Sequence, residues 1–253
     1  MVLMLVGMLV PQGAWALDEI TLDGKTFCVL RSAADWDAFC EKVEAANGAV
    51  NAIMAADIST STMCGDSWIT SFCGIFDGNG HTLTVNLDKA SSNYIAPFRY
   101  AGLDATFRNL HVKGSVIGKE YVGGLVGFLL NTSDHQVTIE NVWVSVQIRN
   151  VGKNYCGGFV GYGSANIEMK DCRFDGYIRS EAGADRAAFL FGILSESKNF
   201  TLNQRCIYEN GSYSATGNEY MNWIAREGWS GQDHCISAHV DWQEVPSELG
   251  CSI

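Results

Sequence analysis

This 253-residue chain lacks an excess of basic residues. Its 17 Lys and Arg stand against 28 Asp and Glu, for a formal net charge of −11. Without a basic footprint, nucleic acid is a poor partner, and the acidity itself speaks mainly to solubility. Beyond the start of the chain, no run reaches the roughly 18 continuous apolar residues of a membrane span. The nine cysteines include no C-x-x-C pair, which removes the common zinc patterns. No nucleophile elbow, phosphate-binding loop or dinucleotide fingerprint is present. Proline is scarce, at 3 residues, and helix-type apolar stripes are few. With 27 glycines and many β-branched residues, the chain reads as β-rich. Its 47% hydrophobic residues supply a core and argue against disorder.

The first residues are an apolar run, Met1–Val10, followed by Pro11 and the small-residue site Ala14-Trp15-Ala16. This is the pattern of a secretory signal peptide over 1–16, although no Lys or Arg precedes the run. An exported chain with nine cysteines invites disulfides. Cys64–Cys73 and Cys235–Cys251 are the pairs that would close short loops. Cys40, Cys156 and Cys172 instead fall in apolar columns and read as small buried hydrophobes.

Two short strands flank Asp23-Gly24. Ser32 and Asp35 then open a helix as a near capping box, and Trp36, Phe39, Cys40 and Val43 form its apolar stripe. Asn47-Gly48 ends it. Such a helix would cover the open first coil of a stacked structure. A Ser/Thr-rich loop with Cys64 and Trp68 follows. Asp77-Gly78-Asn79-Gly80 comes next, a tight turn between two apolar strands.

The strongest signal is repetition. Tyr121-Val122-Gly123-Gly124-Leu125-Val126-Gly127 returns as Tyr155-Cys156-Gly157-Gly158-Phe159-Val160-Gly161, 34 residues on. It returns again, altered, around Ala187-Ala188, aligned 30 residues further. Three segments before these phrases align column by column: Ala105/Val137/Ile167, Phe107/Ile139/Met169, Leu110/Val142/Cys172, Val112/Val144/Phe174 and Val116/Ile148/Ile178. Alternation within each half buries one strand face. The phase slips between 107 and 110, so Asn109, Asn141 and Asp171 mark a corner where stacked polar side chains can bond one another. A fourth unit starts at Phe200, with its second half in a shifted register, and the pattern fails from about Tyr208. The predicted fold is therefore all-β: a right-handed parallel β-helix, three strands per coil of about 30 residues, with one N-terminal capping helix. The expected organisation is strands and cap helix over 17–58, repeats over 59–207 and a terminal cap or further module over 208–253.

These residues also resemble a known family. Trp36, Ala56-Asp57-Ile58, Phe76-Asp77-Gly78-Asn79-Gly80-His81-Thr82, Arg108-Asn109-Leu110 and Gly123-Gly124-Leu125-Val126-Gly127 look like the GLUG-motif repeat region of bacterial surface and secreted proteins, over roughly residues 20 to 205. The resemblance implies a right-handed parallel β-helix in an exported, adhesin-like protein. It transfers no catalytic residues. The third repeat departs from the pattern, with Ala187-Ala188 in place of two glycines.

Candidate chemistry is thin. Asp171 and Asp175 lie near one corner and could act as the acid pair of a polysaccharide-cleaving enzyme, but corner and solvated-strand roles explain both. Asp77-Gly78-Asn79-Gly80-His81 lacks the further ligands of a calcium loop. Asp233-His234-Cys235 and His239 match no zinc spacing. Trp223, Trp229 and Trp242, with Tyr220, are candidates for a ligand-stacking platform, against the plainer reading that they fill a terminal cap. No cofactor is called for. Three functions follow: a cell-surface or secreted adhesion module binding a glycan or host surface protein, a carbohydrate-active enzyme, or a passive spacer. A groove rimmed by exposed Trp and Tyr would favour binding. Clustered acids with basic partners on an exposed face would favour the enzyme.

Overall fold

The computed structural model describes residues 17–130 and 135–181, followed by short strand segments between 187 and 236. The chain is a β-solenoid of about three turns with one helix. After an antiparallel opening hairpin, Glu19–Leu22 with Lys25–Leu30, parallel strands stack rung upon rung. Asp23 and Gly24 make the hairpin turn with φ of 49° and 75°, the left-handed pair that a two-residue hairpin requires.

The aligned columns are real columns. Phe107 pairs with Ile139 and Ile139 with Met169; Val112 pairs with Val144 and Val144 with Phe174; Val116 pairs with Ile148 and Ile148 with Ile178. Leu110 pairs with Val142, and with Cys172 all three are buried. Each coil alone would leave these side chains wet on two sides. Stacking removes that exposure at roughly 1.5–3 kcal/mol for each large aliphatic.

The corner is as expected. Asn109, Asn141 and Asp171 have φ of 51°, 51° and 54°. Asn141 Nδ2 donates to Asn109 Oδ1 at 3.0 Å, and Asn109 Nδ2 donates to Asp77 Oδ1 at 3.1 Å. Asp77 is itself buried and holds Arg108 Nε at 2.7 Å. Short polar side chains tolerate the left-handed backbone and bond along the stack, which is why this column is Asp/Asn. The Asp77–Gly80 turn does not fold the chain back. Ile75–Asp77 and Thr82–Asn93 both lie parallel to Thr106–Glu120, so the turn is the first copy of this corner.

Helix Ala33–Ala45 closes the N-terminal end. Ser32 Oγ accepts from Asp35 N at 3.2 Å, and Asp35 Oδ2 accepts from Arg31 N at 2.8 Å. The reciprocal bond thus reaches one residue before the cap rather than the cap itself. Trp36, Phe39, Cys40 and Val43 are buried. Trp36 and Phe39 interlock with Phe76, and Trp36 with Phe98, at ring separations of 5.5–5.9 Å.

Three expectations need correction. The Cys64–Cys73 bridge is absent: both are free, Cys64 being fully buried while Cys73 Sγ lies near Asn47 O at 3.9 Å. The Cys235–Cys251 pairing reaches outside the described residues. The third glycine phrase is aligned one residue off: Ala187 pairs with Cys156 and Ala188 with Gly157. The expected alignment would have set Arg186 opposite Cys156, bringing a guanidinium to a position where Val122 and Cys156 are fully buried. The pattern also runs further than the sequence shows, with Tyr213–Ala215 pairing onto Tyr177–Ser180 and Ala225–Glu227 onto Phe191–Leu194.

Candidate functional site

Two lateral faces carry ordered side-chain columns. The first follows from the glycine phrase. Tyr94 and Tyr121 sit at successive corners with φ of 58° and 56°, a costly conformation for a bulky aromatic. The coil accommodates them with glycine one rung on. A Cβ on Gly127 would lie 2.6 Å from the Tyr94 carbonyl, and one on Gly161 would lie 2.3 Å from that of Tyr121. The last glycine of each phrase is therefore where the preceding tyrosine's backbone crosses. Gly124 has a different cause: a Cβ there would meet Gly158 O at 2.2 Å, while its own N–H donates to that oxygen at 3.0 Å. Gly123 pairs with Gly157 in the narrow three-stranded sheet.

Beside the corner tyrosines runs a second column, Tyr100–Phe128–Tyr162, in register. The two columns mesh. Tyr94 stacks on Tyr121 at 5.0 Å and 12°, Tyr94 lies 5.2 Å from Phe128, and Phe128 lies 4.6 Å from Tyr162. Tyr155 and Tyr162 are buried together at the far end, with Tyr121 and Phe128 half-buried against them. Burial pushes the Tyr121 hydroxyl up to about 12, and neighbouring Tyr94 and Glu120 add to the rise. Tyr94 is raised by the same main cause. These phenols remain neutral donors and acceptors across the physiological range.

A loop stands at the near end of this shelf. Tyr100 N donates to Gly65 O at 3.1 Å, and Phe72 N donates to Tyr100 O at 3.0 Å. Residues 66–71 bulge out between those two anchors. Glu44 of the cap helix takes bonds from Asp66 N and Thr70 Oγ1, Ser67 Oγ accepts from Ile69 N at 3.1 Å, and Asp66 pairs with Arg99. Arg99 also lies over the Tyr100 ring at 5.5 Å. This fixed loop holds Trp68 and Ile69 out to solvent, each 66% exposed. They are the most exposed large hydrophobics among the described residues.

The second face is self-contained. Trp143 is sandwiched, with His111 stacked on one side at 4.0 Å and 8° and Arg173 on the other at 4.5 Å. Its indole N–H donates to Asp175 Oδ1 at 2.6 Å, and Asp175 Oδ2 pairs with Arg173 at 2.7 Å. His111 Nε2 shares a hydrogen bond with Ser145 Oγ at 2.6 Å. Burial lowers the His111 pKa, Asp175 opposes that shift, and Lys113 and Arg173 reinforce it. Asp175, half of the postulated acid pair, is thus committed to an indole and a guanidinium. Asp171 is a left-handed corner residue.

The aromatic platform expected at Trp223, Trp229, Trp242 and Tyr220 lies outside the described residues. The one found, built from Tyr94, Tyr100, Tyr121 and Phe128 with Trp68, was missed. Its signal was present: Tyr opens both clear copies of the phrase, and Trp68-Ile69 interrupts an otherwise polar loop. Among the described residues, no group of three His, Cys, Asp or Glu side chains could hold a metal ion, and no helix is long and apolar enough to cross a membrane.

No family model matches the chain, and no curated protein matches it. Among solved structures, it is similar to the crystal structure of a "putative immunoglobulin A1 protease" from Bacteroides ovatus. That match has 14% identity and a TM-score of 0.49, and covers 81% of this chain and 83% of that one. The chain is a parallel β-solenoid. The activity in the neighbour's name is not carried over to it.

Proposed function

We propose that this chain is an exported binding module that holds a ligand along the tyrosine shelf, with the Trp68–Ile69 loop as an end anchor. The observation that carries the reading is the shelf itself. Successive coils set half-buried phenols side by side, and the shelf ends at a braced loop with two exposed apolar side chains. Tyr and Trp give large contact area at low entropic cost, and each keeps a polar atom for orientation. A rigid scaffold that repeats every coil suits a ligand that also repeats, so a glycan chain lying along the axis is the preferred class. The chain's charge of −11 disfavours an acidic glycan.

The signal-peptide pattern at 1–16 and the resemblance to the GLUG repeat proteins support export and an adhesin-like role at the cell surface. Against a carbohydrate-cleaving enzyme stands the commitment of Asp175 to Trp143 and Arg173. The test is an array of neutral glycans and of surface proteins probed with the full chain, run beside an assay for released sugar. Retention that falls with Tyr121→Ala and Trp68→Ala supports the reading. Sugar release, or retention indifferent to both changes, overturns it.

A further inference from the structure

We propose that Cys40 and Cys64, both free thiols in this structure, form a disulfide under oxidising conditions that pins the cap helix to the first coil. The helix runs beside segment 62–66, tied to it by a bond on either side of the two cysteines. Trp36 Nε1 donates to Thr62 O at 3.0 Å, and Glu44 accepts from Asp66 N. Cys40 lies midway between Trp36 and Glu44, and Cys64 midway between Thr62 and Asp66. The flanking bonds bring these two cysteines opposite each other, and the Cys64 and Cys40 side chains share a hydrogen bond. Both face inward, Cys40 at 6% exposure and Cys64 at 0%. Cys40 also lines the open cleft between helix and segment, with Thr62 and Met63.

The other described cysteines do not share this bracketing. Cys73 sits against Asn47, Cys28 beside Lys42, and Cys172 Sγ lies 3.3 Å from Ile139 O. Burial raises the Cys64 thiol well above its ordinary range, and the Cys40 thiol beside it adds to the rise. With the helix docked, Cys64 therefore stays protonated and a poor nucleophile. The bond forms before docking is complete. One thiolate attacks a disulfide oxidant of the glutathione class, and the second thiolate then displaces the glutathione. Both protein sulfurs are oxidised, and one oxidised glutathione becomes two reduced molecules that take up the two thiol protons. The inference stands apart from the identity of the shelf's ligand.

The test refolds the full chain with oxidised and reduced glutathione, alkylates the remaining thiols, and digests it without reduction using trypsin and chymotrypsin. Cleavage at Trp68 and Phe72 separates Cys64 from Cys73. The expected product is a cross-linked pair of peptides carrying Cys40 and Cys64, with Cys73 alkylated. Reductant should lower Tm by roughly 6–12 °C, the scale for closing a loop of two dozen residues. Cys40→Ala should remove that dependence and Cys73→Ala should retain it. Should Cys40→Ala fail to fold, the Cys73→Ala chain still decides by its peptide map. Recovery of Cys64 as an alkylated thiol, or joined to Cys28 or Cys73, overturns the proposal.

Discussion

The two lateral faces are made by the same device and come out differently. On the Trp143 face, the indole is covered on both sides and its N–H is taken: His111 above, Arg173 below, Asp175 at the indole N–H. On the tyrosine face, the rings lean on one another, but among the described residues no hydrogen bond engages the hydroxyls of Tyr94, Tyr100 or Tyr121. Stacking coils always aligns like positions. Whether the resulting column holds the fold or meets a ligand depends on what its side chains leave unsatisfied. Charged and amide partners close a column onto itself, whereas phenols with half-open edges do not.

The comparison can be broken most severely at its shared support. Gly124→Val would drive a branched side chain onto the Gly158 carbonyl, 2.2 Å from the new Cβ. It should cost more than about 4 kcal/mol, enough to lose both faces, read as loss of the cooperative transition in thermal denaturation. Trp143→Ala should cost about 2–3 kcal/mol in urea unfolding, by removing the indole bond to Asp175 and emptying the sandwich, while leaving ligand affinity within twofold. Tyr121→Ala should invert that pattern: affinity falls about tenfold or more, and stability falls by about 1–2 kcal/mol.

The smallest effects sharpen the contrast by pH. Tyr121 is raised in the folded chain to about 12, above the ordinary tyrosine value near 10. Its stabilising contribution is therefore complete below pH 10 and lost as pH climbs from 10 through 12. Ultraviolet titration should show a late phenolate step that disappears in Tyr121→Phe. His111 is depressed when folded, so its contribution holds above its unfolded value of about 6.5 and is lost as pH falls through the folded value. Acid should therefore weaken the Trp143 face and spare the shelf. The His111 ring proton shifts in NMR would report it.

The solenoid itself was legible in the sequence because its cause is local and repeated. Leu110, Val142 and Cys172 announce one column, and the slip before Asn109 announces the corner. The cap helix was equally plain, since Ser32, Asp35 and the Trp36–Val43 stripe are complete within a dozen residues. The shelf was harder to see. In the glycine phrase the glycines drew the reading, yet Gly127 and Gly161 are glycine because Tyr94 and Tyr121 turn left-handed one rung earlier. That link spans coils and has no signature in a single phrase. The first copy was hidden as well, because Tyr94-Ile95-Ala96-Pro97-Phe98 lacks the paired glycines. The cysteine pairing failed for a similar reason: Cys64 and Cys73 are near in sequence, but only the docking register of the cap helix shows that Cys64 faces Cys40.

The tyrosine face and the Trp143 face differ most in which one meets the ligand. The most direct measurement is carbene footprinting of the full chain with and without a retained glycan, read by peptide mass. Protection at Trp68, Tyr94 and Tyr121, with Trp143 unchanged, is the predicted result. Protection of Trp143 and His111 with the tyrosines unchanged would contradict it.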